Sequence, residues 1–285
     1  MTSPEIDPTQ AASPELSRRV FVGISAAALS APVAALAHDG GKPHPPLVSE
    51  DDPAIVVQRV TLDRPDLALP AYSARPKDAG AGTPSVVVIM HVWGVDTTIR
   101  DVVRRLAKAG LAAIAPDLYA RFNAPSGDGS TDYTIFRPYA KQLDRAQYGG
   151  DIAAAAKWCA AQLAGTKTAV MGFCMGGRIA LLASIDDATV FSAAAPFYGP
   201  LEDVDPAKMS VPVCGSYGAR DTGIPAQGVR DFAAALKVPN DFKIYDDAGH
   251  AFCDDQRPSY VAPACADAWE RVLAFLGKYL RPGTG

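Results

Sequence analysis

Short apolar runs alternate with amphipathic segments along the chain from about residue 53 onward. The run 85–90 is continuous and rich in β-branched residues, which is typical of a strand buried on both faces. After it, apolar residues recur at helical spacing over 97–108, and Asp96 is placed to cap that helix. By the same criteria we predict further strands at 55–62, 67–72, 111–115, 168–173, 189–195, 211–217 and 242–245. Further helices are predicted at 151–163, 175–183, 226–236 and 266–280.

Strands that alternate with helices are typical of a mostly parallel, twisted sheet with helices on both faces. We therefore predict a single α/β domain over 53–285, in which the first two strands form a pair of edge strands. The stretch 116–149 is polar and irregular, and an excursion of this length predicts a functional loop or lid. Five aromatic residues in it are expected to shape a pocket: Tyr119, Phe122, Tyr133, Phe136 and Tyr139.

Residues 1–37 have the order of an export signal. A polar start is followed by Arg18 and Arg19, an uncharged Ala-rich run and a small-x-small sequence at 35–37. Paired arginines before an apolar run are typical of a twin-arginine (Tat) leader. The alternative is an uncleaved anchor, but Pro32 interrupts a weakly apolar run, so stable membrane insertion is not expected. We therefore expect a cleaved signal peptide, the Tat export machinery as a partner, a periplasmic or secreted protein, and a flexible lead-in at 38–52.

The composition narrows the possible function classes. The chain has 285 residues and is 48% hydrophobic, which is enough for a substantial core. Its net charge of −4 gives no electrostatic reason to expect nucleic acid as a partner. Neither of the common phosphate-binding glycine patterns occurs. The five cysteines include no CxxC pair, so no metal site of the zinc-framework type is expected.

The segment 172–177, Gly-Phe-Cys-Met-Gly-Gly, is the most specific local signal. It lies where a predicted strand passes into a predicted helix, and it has the pattern of a nucleophile elbow with Cys174 in place of serine. Such a turn places the nucleophile in a strained conformation at a helix N-terminus, where backbone N–H groups stabilise a thiolate and a developing oxyanion. Cys174 is therefore the candidate nucleophile; the alternative is a buried cysteine in a glycine-rich turn.

A cysteine nucleophile requires a base, usually a histidine, and an acid that orients the base. In a fold of this kind the three residues occur along the chain in the order nucleophile, acid, histidine. Asp221 and His250 each follow a predicted strand, and catalytic groups of open α/β sheets collect at the carboxyl ends of strands. Asp246 and Asp247 compete with Asp221, but their position in the turn before His250 favours a turn role. His91 is the other plausible base.

Four segments resemble those of the dienelactone hydrolase (carboxymethylenebutenolidase) family of the α/β-hydrolase superfamily. They are 172–177, 115–121, 220–221 and 248–252, and the similarity extends over about 55–280. The resemblance implies an α/β-hydrolase fold and a catalytic triad at Cys174, His250 and Asp221. It also implies hydrolysis of a small-molecule lactone or related ester without a cofactor.

The resemblance implies roles for residues around the triad as well. The oxyanion donors would be the backbone N–H groups of Met175 and Val92. Arg121 matches a family position that binds the substrate carboxylate, a task that suits a planar guanidinium; the alternative is a surface loop charge. Tyr119 and Trp93 lie beside these positions and are expected to bind or modulate the substrate.

Two positions depart from the family pattern. His91 stands where the family usually has a glutamate, and it is a candidate to deprotonate Cys174 or to stabilise its thiolate. Alternatively, His91 only packs against Trp93. Asp254 stands where the family has an arginine, which removes half of a clamp for an anionic substrate, and Arg257 is a candidate to replace that charge.

Two other functions remain open at this point. A general esterase or thioesterase of the same architecture would use the same triad. A non-catalytic binder would instead use His91, Cys174 and His250 as a soft-metal site.

The remaining cysteines are assigned by their surroundings. Cys159 lies in an apolar helical stretch and Cys214 in a predicted strand, so both are expected in the core. Cys253 and Cys265 flank the segment after His250 and are candidates for a disulfide in an oxidising compartment.

Overall fold

The computed structural model describes residues 43–164 and 166–281, so the predicted signal peptide and residues 38–42 of the lead-in lie outside the described residues. The strands are Ile55–Arg64 (β1), Leu67–Pro76 (β2), Ser85–Ile89 (β3), Ala112–Pro116 (β4), Thr168–Phe173 (β5), Phe191–Phe197 (β6), Val213–Gly218 (β7) and Asn240–Tyr245 (β8). The helices are Thr97–Lys108 (α1), Arg137–Ala140 (α2), Arg145–Gln162 (α3), Met175–Asp186 (α4), Ala226–Ala235 (α5) and Ala262–Leu280 (α6). None of the helices in these ranges combines the length and apolarity that crossing a bilayer requires.

One eight-stranded sheet forms the centre of the domain, in the order β1-β2-β4-β3-β5-β6-β7-β8. β2 pairs antiparallel with β1 and β4, and the other neighbours are parallel. This confirms the predicted mostly parallel α/β sheet. The chain leaves β3 toward β4 on one side and later returns to β5 on the other. The carboxyl ends of β3 and β5 therefore flank a topological switch point, where open α/β sheets bind ligands.

Two boundaries in this architecture differ from the prediction. β2 is not an edge strand, because β4 pairs with its second side. α3 begins at Arg145 instead of residue 151, because Asp144 caps it by accepting hydrogen bonds from the N–H groups of Ala146 and Gln147. The excursion is therefore shorter than predicted, and it contains α2.

Residues 43–52 of the predicted lead-in contain no helix or strand and pack against the domain. Val48 is 1% exposed, and the N–H groups of Leu47 and Val48 donate to the buried carboxylate of Asp101. The N–H of His44 donates to the Asp255 carbonyl at 2.8 Å. Local composition favoured disorder, but acceptors supplied by distant parts of the chain order this segment.

A disulfide joins Cys253 to Cys265 and so ties the segment after His250 to α6. Closing a loop of 12 residues contributes about 3 kcal/mol to the free energy of unfolding in the chain-entropy model. Cys159 and Cys214 are fully buried, which confirms their assignment to the core.

Candidate active site

The turn between β5 and α4 holds Cys174 in a strained conformation. Its φ of 54° and ψ of −123° lie in a region that residues with a Cβ rarely adopt. The turn is possible only because its neighbours are small. A Cβ on Gly172 would lie 2.0 Å from the carbonyl oxygen of Gly176, and one on Gly176 would lie 2.4 Å from that of Met90. The turn directs the thiol into a cavity at the N-terminus of α4.

The structure brings Cys174, His250 and Asp221 together at the carboxyl ends of their strands. His250 Nε2 lies 3.0 Å from Cys174 Sγ, and His250 Nδ1 lies 2.7 Å from Asp221 Oδ2. The other carboxylate oxygen of Asp221 accepts hydrogen bonds from the N–H groups of Gly223 and Ile224. These bonds fix the carboxylate, which in turn orients the imidazole toward the sulfur, as acid, base and nucleophile require.

The electrostatic surroundings of His250 favour its charged form. Partial burial disfavours charge on the ring, but the hydrogen bonds to Asp221 and Cys174 and their negative charge outweigh it and raise the pKa of His250 to about 10. At neutral pH the ring therefore carries both protons and donates to the carboxylate and to the sulfur. This arrangement suits an imidazolium that faces a thiolate.

Two backbone N–H groups belong to residues that line the cavity together with Cys174. Met175 is the first residue of α4, so its N–H has no acceptor within the helix, and Val92 lies in the loop after β3. Among the described residues neither N–H donates to an acceptor, and both residues line the cavity with Cys174. The Tyr119 hydroxyl donates to the Val92 carbonyl at 3.0 Å and so holds the Val92–Trp93 peptide, which follows the one that carries the Val92 N–H. Such a pair of donors can hold an oxyanion.

The cavity has a volume of about 390 Å³, which suits a small organic molecule. Its walls are mainly apolar and aromatic, with contributions from Trp93, Met175, Tyr198 and Tyr133. Two basic residues that are exposed to solvent, Arg137 and Lys141, also contribute to the lining. Both come from the excursion between β4 and α3, which therefore forms part of the pocket.

A family comparison decides which class of protein this site belongs to. The model of the dienelactone hydrolase family matches residues 69–280. The chain belongs to the dienelactone hydrolase family. A carboxymethylenebutenolidase candidate from Escherichia coli (strain K12) is 34% identical over 248 residues, which cover 82% of this chain and 91% of that protein. Another, from Methylorubrum extorquens, is 33% identical over 251 residues and covers 81% of this chain and 84% of that protein.

Solved structures agree with the assignment of the family. The crystal structure of a candidate dienelactone hydrolase from Klebsiella pneumoniae matches with a TM-score of 0.72 and 33% sequence identity. The match covers 79% of this chain and 100% of that chain. The α/β-hydrolase fold and the family resemblance read from the sequence are both confirmed.

Arg121, for which the family pattern implied a role in substrate binding, pairs with two carboxylates. Its Nε lies 2.9 Å from Asp66 Oδ2, and its two terminal nitrogens bind Asp151, one of them at 2.9 Å. Arg121 is not among the residues that line the cavity. Two carboxylates thus pair with this guanidinium away from the cavity lining, and the carboxylate-binding role of Arg121 stays a prediction. Tyr119 also lies outside the lining and holds the Val92–Trp93 peptide.

His91 lies in the cavity wall, but both of its ring nitrogens face carboxylates. Nε2 is 2.8 Å from Asp96 Oδ1, and Nδ1 is 3.4 Å from Asp254 Oδ2. The ring also packs against Trp93, with 5.0 Å between the centroids. Neither nitrogen is directed at a thiol, which argues against His91 as the base. The same orientation argues against the soft-metal alternative, and the described residues contain no group of three or more side chains placed to hold a metal.

Arg257 does not replace the missing arginine of the family pattern. Its guanidinium is buried between Asp96 and Asp254 and stacks on the Trp93 ring at 3.9 Å. It therefore has no contact with the cavity, whose positive charges are those of Arg137 and Lys141.

Sequence reasoning missed several lining residues, among them Arg137, Lys141 and Tyr198. Tyr198 directly follows β6, so its position at the carboxyl end of a parallel strand was an available signal. Its buried ring packs at 5.4 Å from the His250 ring. No comparable signal marks Arg137 and Lys141, because charges in a polar excursion are normally solvated.

Proposed function

We propose that this family member hydrolyses a carboxylic ester or lactone by covalent catalysis through Cys174. The observation that carries the proposal is the continuous contact from Asp221 through His250 to Cys174, at 2.7 and 3.0 Å. The unpaired N–H groups of two residues that line the cavity, and its mainly apolar walls, support it. The names of the similar proteins from E. coli and M. extorquens support the same substrate class.

Acylation begins when the Cys174 sulfur, as thiolate, bonds to the substrate carbonyl carbon. The carbonyl π electrons move to oxygen, and the N–H groups of Val92 and Met175 stabilise the resulting oxyanion. When the C–O bond to the leaving group breaks, the imidazolium of His250 transfers its Nε2 proton to the departing oxygen. In a lactone that oxygen stays on the same molecule, because the ring opens.

Deacylation uses the neutral imidazole that acylation leaves behind. His250 accepts a proton from water at Nε2 while the water oxygen attacks the thioester carbon. Collapse of the second tetrahedral intermediate breaks the C–S bond, releases the acid and restores the thiolate–imidazolium pair. Asp221 stays ionised throughout and stabilises the charged ring.

The positive charges of Arg137 and Lys141 favour a substrate with a negatively charged group beyond the scissile bond. The Arg137→Ala/Lys141→Ala variant should raise KM for a carboxylate-bearing aryl ester about 10-fold, because a charge-assisted contact is lost. KM for neutral p-nitrophenyl acetate should stay within about twofold, since no charge is paired in that case. Steady-state kinetics on both esters measure the difference.

A matched control is Lys157→Ala, because Lys157 is exposed on α3 and does not line the cavity. This variant should leave both KM values unchanged. Equal effects of the double variant on the charged and the neutral ester would contradict the assignment of Arg137 and Lys141. A general esterase or thioesterase would likewise show no preference for the charged ester.

The Cys253–Cys265 disulfide supports the proposal that the protein is exported by the Tat machinery, since disulfides persist in oxidising compartments. We expect the Arg18→Lys/Arg19→Lys variant to stay in the cytoplasm with both cysteines reduced. Cell fractionation followed by thiol alkylation in denaturant should find three free thiols in the exported protein and all five in the variant. Export of the variant, or five free thiols in the wild type, would contradict this.

A further inference from the structure

Four ionisable side chains lie buried together behind the loop that carries the Val92 N–H group. They are His91, Asp96, Asp254 and Arg257, and each is 6% exposed or less. We call these four residues the charge network. Isolated charges are very costly at this depth, so the network is stable only if positive and negative charges balance.

The geometry of His91 determines its protonation state. Its Nε2 faces Asp96 Oδ1 at 2.8 Å and its Nδ1 faces Asp254 Oδ2 at 3.4 Å. A neutral imidazole has one N–H and would direct a lone pair at one of the carboxylates. Only the doubly protonated ring presents an N–H to both carboxylates, as a hydrogen bond to Asp96 and as an ion-pair contact to Asp254. Two cations then face two anions, and the network is neutral.

Arg257 connects the network to three separate parts of the active site. It binds Asp96 Oδ2 and Asp254 Oδ2, both at 2.7 Å. Asp96 ends the loop that carries Val92, where it also caps α1, and Asp254 lies four residues after His250 in sequence. Arg257 Nε donates to the Ser130 carbonyl of the excursion at 3.1 Å. The network therefore holds these three segments in one arrangement.

We propose that His91 is a positioning residue, doubly protonated at neutral pH, that with Asp96, Asp254 and Arg257 fixes the Val92 oxyanion donor relative to His250, and that it exchanges no proton with Cys174. Of the tests of this inference, only the kinetic one depends on the proposed function. It joins the two departures from the family pattern into one feature, because His91 and Asp254 are charge partners.

The electrostatic surroundings agree with this protonation state. Burial disfavours the charged ring, but the charges of Asp96 and Asp254 and their hydrogen bonds outweigh it and raise the pKa of His91 to about 9. The other titratable residues that line the same cavity are Tyr133, Arg137, Lys141, Cys174, Tyr198 and His250. The folded pKa lies above the ordinary value of 6.5, so the stabilisation by protonated His91 is complete below about pH 6.5. It is lost as pH rises through about 9.

A double-mutant cycle tests the network. His91→Gln leaves two carboxylates with one cation, whereas Asp254→Asn leaves one carboxylate between two cations. Each should lower kcat for p-nitrophenyl acetate about 20-fold or more, with KM within about threefold, because the oxyanion donor shifts. The double variant His91→Gln/Asp254→Asn restores neutrality and should recover at least about fivefold of the loss. Urea unfolding should show the same non-additivity in stability.

Three measurements separate a positioning role from a direct role in catalysis. The rate of Cys174 alkylation by iodoacetamide should stay within about threefold in all variants, because the triad is intact. Nitrogen-15 NMR of the wild type should show both His91 nitrogens protonated at pH 7 and one proton lost near pH 9. The loss of stability caused by His91→Gln should shrink as pH rises from about 6.5 to about 9.

Several results would overturn the proposal. They are a neutral His91 at pH 7, an additive cycle in the free energy of unfolding, or loss of alkylation in His91→Gln. If a variant does not fold, the NMR titration of the wild type still decides the protonation state. If Cys174 proves not to be the nucleophile, only the kinetic readout is lost. The stability cycle and the NMR titration therefore distinguish failure of this inference from failure of the proposed function.

Discussion

Replacing Cys174 with alanine is expected to lower kcat/KM for p-nitrophenyl acetate by about 10⁴-fold or more. The variant retains the cavity and the unpaired N–H groups, but it lacks the atom that bonds to the carbonyl carbon. Steady-state hydrolysis measures the loss. The folded state should be preserved, because the side chain that is removed points into the cavity rather than into the packed core.

Alkylation provides an independent measurement of the same site. Burial raises the pKa values of Cys159 and Cys214 to about 12, so in the native protein iodoacetamide should label Cys174 alone. Labelling should disappear in Cys174→Ala. As a matched control, Cys214→Ala removes a buried thiol that does not line the cavity, and it should keep both labelling and activity. Undiminished hydrolysis by Cys174→Ala would reject the covalent mechanism.

Asp221→Asn is expected to lower kcat by about 10³- to 10⁴-fold, because the amide neither holds the ring in the required tautomer nor stabilises its charge. Loss of the carboxylate removes one of the two groups that raise the pKa of His250 to about 10. The basic limb of the pH–rate profile should therefore move to lower pH. Stopped-flow kinetics between about pH 6 and about pH 10 would measure both effects.

The matched control for this prediction is Asp246→Asn. Asp246 is exposed and lies four residues before His250 in sequence, so it tests whether any nearby carboxylate would suffice. We expect this variant to keep its activity and its pH profile. A large loss in Asp246→Asn together with a small one in Asp221→Asn would reverse the assignment of the orienting acid.

The sequence alone determined the elements that depend on local pattern. β-branched runs predicted β3 and β5, and helical spacing with an Asp96 cap predicted α1. The nucleophile turn was readable because glycines on both sides of Cys174 have one physical purpose, close backbone approach. Asp221 and His250 were then predicted as the acid and the base from their order in the chain and their positions just after strands. The residues that follow parallel strands lie at the same edge of the sheet.

Only the tertiary structure decided which charged residues lie at the cavity. Arg121 and Arg257 looked like candidates by position, but Asp66 and Asp151 pair with the first, and the distant Asp96 and the nearby Asp254 pair with the second. Arg137 and Lys141 looked like solvated loop charges, yet the excursion folds over the cavity and places them in its wall. The protonation of His91 likewise depends on Asp254, which is distant in sequence. Ion pairing is a property of three-dimensional distance and burial, and no periodicity along the chain encodes it.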